Sequence, residues 1–161
     1  MKRKIIICSI ILFAIGIFSI TISFNDFFFT TKYYNTPLAA YNAESFYHTD
    51  YGDTVAEKEL AIVALDEETC LFIGAMNNNC FVVCEMYKKN NRYASKGLVI
   101  IFDIREATFS QGVYTTAVSN GSKQWKIISE EETIDPDIEI VQIKAFTHIN
   151  GKIFHLLVYA D

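Results

Sequence analysis

The chain has 161 residues, 51% of them hydrophobic, with 19 acidic side chains against 14 basic ones and a formal net charge of −5. An acidic chain is a poor candidate for binding nucleic acid or an anionic lipid surface, both of which are held through clustered Lys and Arg. Four cysteines are too few for a disulfide-built scaffold, and the length suits one ordinary domain.

The first feature in chain order is Met1-Lys2-Arg3-Lys4, followed by Ile5 to Phe24, 20 residues without a charge, an Asn, a Gln or a Pro. At ~1.5 Å per residue such a helix reaches ~30 Å, the thickness of a bilayer's hydrocarbon core. Ser9, Ser19, Thr21 and Ser23 are tolerated there because a hydroxyl can bond to a carbonyl one turn back. Three basic residues precede the segment, and Asp26 and Phe27-Phe28-Phe29 follow it. The positive-inside preference then places the N-terminus in the cytoplasm and the rest of the chain outside. The alternative is a secretory signal peptide cut near Thr21-Ile22-Ser23, which would release the domain. The length of the apolar run and the lack of a clean small-x-small site favour the anchor. Removing Lys2, Arg3 and Lys4 from the 14 basic residues leaves 11 against 19 acidic ones, a net charge of −8 for the exported part.

Residues 25–36 read as a juxtamembrane tether and residues 37–161 as one extracytoplasmic β-rich domain. Thr36-Pro37 is an N-cap followed by proline at the first helical position. It opens a helix of about three turns through Tyr47, with Ala40, Ala43 and Tyr47 sharing a face. His48 to Thr54 reads as loop.

Strand patterns follow at Leu60–Leu65, Cys70–Ala75, Cys80–Tyr87 and Leu98–Ile104. The last is almost wholly apolar and is expected to be a central strand covered on both faces. Val113–Val118 and Gln124–Ile128 flank Ser119-Asn120-Gly121-Ser122, and Ile138–Ile149 and Lys152–Ala160 flank Asn150-Gly151. Asn-Gly suits a two-residue type I′ turn. Pairing Ile149 with Lys152 on that basis puts Ile143, Ala145, Thr147, Ile149, Phe154, Leu156, Val158 and Ala160 on one buried face. Lys144, Phe146, His148, Ile153, His155, Leu157 and Tyr159 then take the wetter one. The expected fold is mainly β (α+β): an antiparallel meander of seven to eight strands with one short packed helix, preceded by the transmembrane helix Ile5–Phe24.

An N-terminal anchor, a Thr-Pro helix start with alanines (Thr36-Pro37-Leu38-Ala39-Ala40), a strand pair around Leu60–Ala75, Trp125 just past Asn120-Gly121 and a final Asn150-Gly151 hairpin come in that order. In this the chain resembles the small, membrane-anchored, uncharacterised exported proteins of Gram-positive bacteria. The resemblance implies the location and carries no catalytic residue.

Several residues could carry chemistry. On the register above, His148 and His155 are diagonal neighbours ~7–8 Å apart and able to share a metal, although no further ligand stands beside them. Cys80 and Cys84 lie ~13 Å apart along one strand. Cys70 comes opposite Cys84, within bridging distance, if the intervening turn is Met76–Asn78; otherwise the thiols act as small apolar side chains. Glu130, Glu131, Glu132, Asp135, Asp137 and Glu139 form an acidic cluster without the spacing of a calcium loop. Lys88, Lys89, Arg92 and Lys96 form a basic patch near a hairpin tip that could touch wall polymer or headgroups. No Gly-x-Ser-x-Gly and no His-Glu-x-x-His occurs. No catalytic residue and no cofactor is therefore assigned. The leading expectation is a non-enzymatic interaction module with a protein partner in the cell envelope. A module for a small ligand, metal or wall polymer is the alternative, and an extracytoplasmic hydrolase the second alternative.

Overall fold

The computed structural model describes residues 31–44, 55–76, 79–105, 112–134 and 139–160. The segment Ile5–Phe24, residues 25–30 of the expected tether, the expected helix end through Tyr47 and the loop His48–Thr54 lie outside the described residues. Among the described residues, no helix is long and apolar enough to cross a membrane.

Among the described residues, one short helix and eight strands follow in order: α1 (Pro37–Glu44), β1 (Ala56–Ala64), β2 (Thr69–Met76), β3 (Cys80–Lys89), β4 (Arg92–Asp103), β5 (Tyr114–Val118), β6 (Gly121–Ser129), β7 (Ile140–Thr147) and β8 (Ile153–Tyr159). They form two antiparallel sheets, β1-β2-β3-β4 and β5-β6-β8-β7. The first is a meander. The second is not, because β8 returns between β6 and β7. Strand content reads correctly from sequence; a single continuous meander does not.

The pleat of β2 and β3 explains the layering, since alternate side chains leave a strand on opposite faces. Leu71, Ile73, Phe81 and Val83 meet Trp125, Ile127, Phe154, Leu156 and Val158 of the second sheet in one core. Cys70, Phe72, Met76, Val82, Cys84 and Met86 point the other way and are covered by Ala40 and Tyr41 of α1. Thr36 caps the helix as expected, its hydroxyl oxygen accepting the Ala39 N–H at 3.1 Å. Asn42 then ties α1 to β1 by pairing with both backbone groups of Ala56, at 2.9 and 3.0 Å. The expected helix face is corrected at Ala43, which is exposed; Tyr41 is buried instead and packs on the Phe72 ring at 5.7 Å. Gly74 lets strand and ring approach, since a Cβ there would sit 2.8 Å from the Phe72 ring and 2.9 Å from the Ala56 Cβ.

β4 is an edge strand rather than a central one. A bulge opposite Glu85, with Gly97 at φ +90°, breaks its register, and Leu98 is 42% exposed. Its apolar run is long because one part meets the sandwich core and another the α1 layer, not because strands flank it on both sides.

The hairpin turns decide the remaining registers. Lys89 pairs with Arg92 around Asn90 and Asn91, both left-handed at φ 51° and 57°, the backbone of a type I′ turn. The Asn-Gly turns are different. At Asn150-Gly151 only the glycine is left-handed, at φ +87°. The Gly151 N–H bonds to the His148 carbonyl at 2.9 Å and the His148 N–H to the Lys152 carbonyl at 2.8 Å. That is a three-residue loop with a glycine bulge, so His148, not Ile149, stands opposite Lys152. The hairpin register moves by one residue and β7 turns over. Phe146 and His148 face the core with Phe154, while Ile143 and Ile149 are exposed.

Candidate interaction edge

Two sheets of four strands have four edges, and an unpaired edge is a template for another strand. β1 is blunted by two register breaks and by the exposed run Glu57-Lys58-Glu59. β4 carries the Gly97 bulge and is partly covered by the residues just before α1: Tyr34 and Tyr93 exchange backbone bonds of 2.7 and 2.8 Å, and Arg92 reaches the Tyr33 carbonyl at 2.6 Å. β5 is only five residues long, and Lys96 occupies its Ala117 carbonyl at 2.6 Å. These are the usual protections: bulges, charge, cover and brevity.

β7 has little of this. Among the described residues, no strand pairs with its outer side. Val141, Gln142, Ile143, Lys144 and Ala145 are exposed in succession, with Val141 at 54% and Ile143 at 52%, and Ile149 at the hairpin tip is 53% exposed. One break, between Ile140 and Gln142, and one Lys are its only guards. Parity sets which backbone groups are open. His148 bonds inward to β8, so Lys144 and Phe146 do as well, and Ile143, Ala145 and Thr147 turn their N–H and C=O groups outward. Their side chains lie on the face away from the core. Along that face the sheet continues with Ile140, Leu157, Tyr159 and Ile128.

The tip that carries this edge is braced. His148 is 2% exposed, and its Nε2 lies 3.2 Å from the Cys80 carbonyl, which can only accept, so Nε2 carries a proton. Its Nδ1 lies beside Asn150, 3.0 Å from Oδ1 and 3.4 Å from the backbone N–H. Lys152 Nζ donates to the Ile104 carbonyl at 3.4 Å.

His148 and His155 do not meet: the first faces the core and the second, opposite Ala145, faces the outer side. Both His148 ring nitrogens are engaged within the fold, and among the described residues no group of three His, Cys, Asp or Glu side chains is placed to hold a metal ion.

Cys70 and Cys84 share a face but are two residues out of register, Cys70 opposite Met86 and Cys84 opposite Phe72. β2 runs through Met76 and β3 starts at Cys80, so residues 77–79, not Met76–Asn78, separate the two strands. Diagonal neighbours ~7–8 Å apart lie beyond bridging distance. Cys70, Cys80 and Cys84 are buried thiols, and burial pushes Cys70 up to about 11, with Lys88 opposing.

The acidic cluster does not form a site among the described residues: Glu130 and Glu131 are exposed, and Glu132 accepts the Ser129 N–H and hydroxyl, both at 3.2 Å. Asp135 and Asp137 lie outside the described residues. The basic patch is drawn into the fold by the bonds of Arg92 and Lys96, the latter also 5.0 Å over the Tyr87 ring.

Two polar arrangements escaped the sequence reading. Trp125 Nε1 donates to Thr116 Oγ1 at 2.8 Å, and Thr116 donates to Glu85 Oε1 at 2.5 Å, all buried between the sheets. Glu85 at the parity of Phe81 and Val83 was the available signal, a carboxylate on a core face. Asp66 joins the β1–β2 turn to the β5–β6 turn through the Ser119 N–H and hydroxyl at 2.7 and 2.8 Å, and also accepts the Glu68 and Thr69 N–H groups. Partial burial opposes its charged form, but these bonds prevail and hold the carboxyl at about 2. Both arrangements tie the sheets together.

No family model matches the chain. No curated protein and no solved structure matches it either.

Proposed function

We propose that this protein is a single-pass cell-envelope protein, anchored by Ile5–Phe24 with its N-terminus inside, whose β domain is a non-enzymatic interaction module docking through β7. The observation that carries the docking role is the run Val141–Ala145, exposed beside an open backbone edge, while the other three edges are blunted. Main-chain bonds along an added strand give affinity, and the alternate side chains give selectivity. The anchoring rests on the uncharged apolar segment and the basic residues before it.

Ala145→Pro tests the docking role. Its N–H faces outward, so proline removes a bond the fold does not use yet blocks an incoming strand. Co-purification of the full-length chain in mild detergent is expected to lose its partner with Ala145→Pro and keep it with Ala43→Ser on α1. Equal recovery with both variants would remove β7 from the account. Location is tested separately with Glu131→Cys, which puts a thiol in an exposed turn. An impermeant maleimide is expected to label it on intact cells, and labelling only after lysis would reverse the topology.

A further inference from the structure

We infer that the strand received by β7 is the β7 of a second copy of this chain, so that two four-stranded sheets join into one of eight; this rests on the reading of β7 as the docking edge.

Symmetry limits the pairing. Two identical strands lying antiparallel in a continuous sheet are related by a two-fold axis through the sheet, which keeps each side chain on its own face. The axis must therefore pass at a residue, and the exposed run Val141–Ala145 offers five. Centred on Ala145, Ile143 meets Thr147 and Lys144 meets Phe146. Centred on Lys144, two ammonium groups stand directly opposite each other, which is destabilising. Centred on Gln142, Lys144 meets Ile140 and Glu139 meets Ala145. Centred on Val141, Ile143 meets Glu139. Centred on Ile143, that side chain meets its own copy, Val141 meets Ala145 and Lys144 meets Gln142. Only this last register gives each of Val141, Ile143 and Ala145 an apolar partner on the outer face, with Thr147 meeting Glu139 at its ends and an ammonium beside an amide oxygen on the other face. It also uses the open backbone, because Ile143 is among the residues whose N–H and C=O groups turn outward.

Charge favours the same partner. The chain has 19 acidic residues, yet none falls between Ile140 and Ala160. Two copies of a domain this acidic repel each other wherever carboxylates meet, and β7 with its hairpin is the stretch where they do not. Lys144 and Lys152 give a basic partner nothing to bind. The exposed apolar contribution is small, Val141, Ile143 and Ile149, so the association belongs to the weak, reversible class and suits chains already concentrated on one membrane.

The test is disulfide crosslinking of the full-length chain in membranes. In the Ile143-centred register the two Ile143 residues form a hydrogen-bonded pair with Cα atoms about 5.5 Å apart, inside the bridging range. Mild oxidation of Ile143→Cys is expected to give a homodimer several-fold more readily than Lys144→Cys or Glu131→Cys, and the added substitution Ala145→Pro is expected to abolish it. A Gln142→Cys chain mixed with a Lys144→Cys chain is expected to crosslink better than either alone. Equal dimer from all positions, or dimer that survives Ala145→Pro, overturns the inference. If Ile143→Cys is captured by a different protein and Ala145→Pro releases it, the second copy is wrong and the docking edge stands. Capture of nothing removes both.

Discussion

β2 and β7 are both eight-residue antiparallel strands rich in apolar side chains, yet every residue of β2 is buried and in β7 only Phe146 is. The difference lies in their neighbours. β2 has β1 and β3 beside it, α1 over one face and the second sheet under the other. β7 has β8 on one side, and the core shelters it only around Phe146 and His148. Hydrophobic content decides what a strand gains from being covered; topology decides whether the fold itself covers it. In β7 that leaves an apolar alternation in water beside an open backbone edge.

This contrast can be broken most severely in β2. Phe72→Ala removes the ring on which Tyr41 of α1 packs and should lower stability by about 3–5 kcal/mol, measured by denaturant unfolding of the detergent-solubilised chain. A loss no greater than that of Ile143→Ala would mean the α1 layer is not part of the cooperative core. Thr116→Val comes next. It leaves the Trp125 N–H and the Glu85 carboxylate without their shared partner between the sheets, at a cost of about 2–3 kcal/mol. Thr116→Ser keeps the hydroxyl and loses only the methyl, so it should cost clearly less; an equal cost would show that the two bonds of the hydroxyl do not set the loss.

The Asp66 staple makes a smaller, pH-dependent contribution. Its folded carboxyl is held at about 2, below the unfolded value of about 3.9. Its stabilisation is therefore complete above that unfolded value and is lost as the pH falls through it towards the folded one. Asp66→Asn should flatten the decline in stability between about pH 4 and 2; an unchanged acid limb would show that Ser119 is not held through this carboxylate. The smallest effect on the fold is expected at β7. Ile143→Lys should change stability by no more than about 0.5 kcal/mol and still abolish association, because it places like charges across the two-fold pair. A large loss of stability would show that the chain itself buries Ile143.

The strands were legible because alternation and turn residues mark them locally, and Thr36-Pro37 marked the start of α1. What failed was non-local. Nothing near Leu98–Ile104 reveals that β4 ends up at an edge, and nothing within β7 reveals that β8 inserts between it and β6. The register of the last hairpin failed on the backbone of one residue: Asn150 stays out of the left-handed region, Gly151 alone enters it, and every β7 side chain changes face. The exposed run of β7 is legible as Val141-Gln142-Ile143-Lys144-Ala145, but the same pattern describes a strand with one buried face. Only the placement of β7 separates the two.

Residue-resolved amide hydrogen exchange along β7, at low and high concentration of the full-length chain, is the most direct test that this edge is open and used. In dilute protein the Ile143, Ala145 and Thr147 amides should exchange fast while Lys144 and Phe146 are protected, and on concentrating the sample the first three should slow. Protection of all five already at low concentration, or fast exchange of the alternate three at every concentration, would contradict the account.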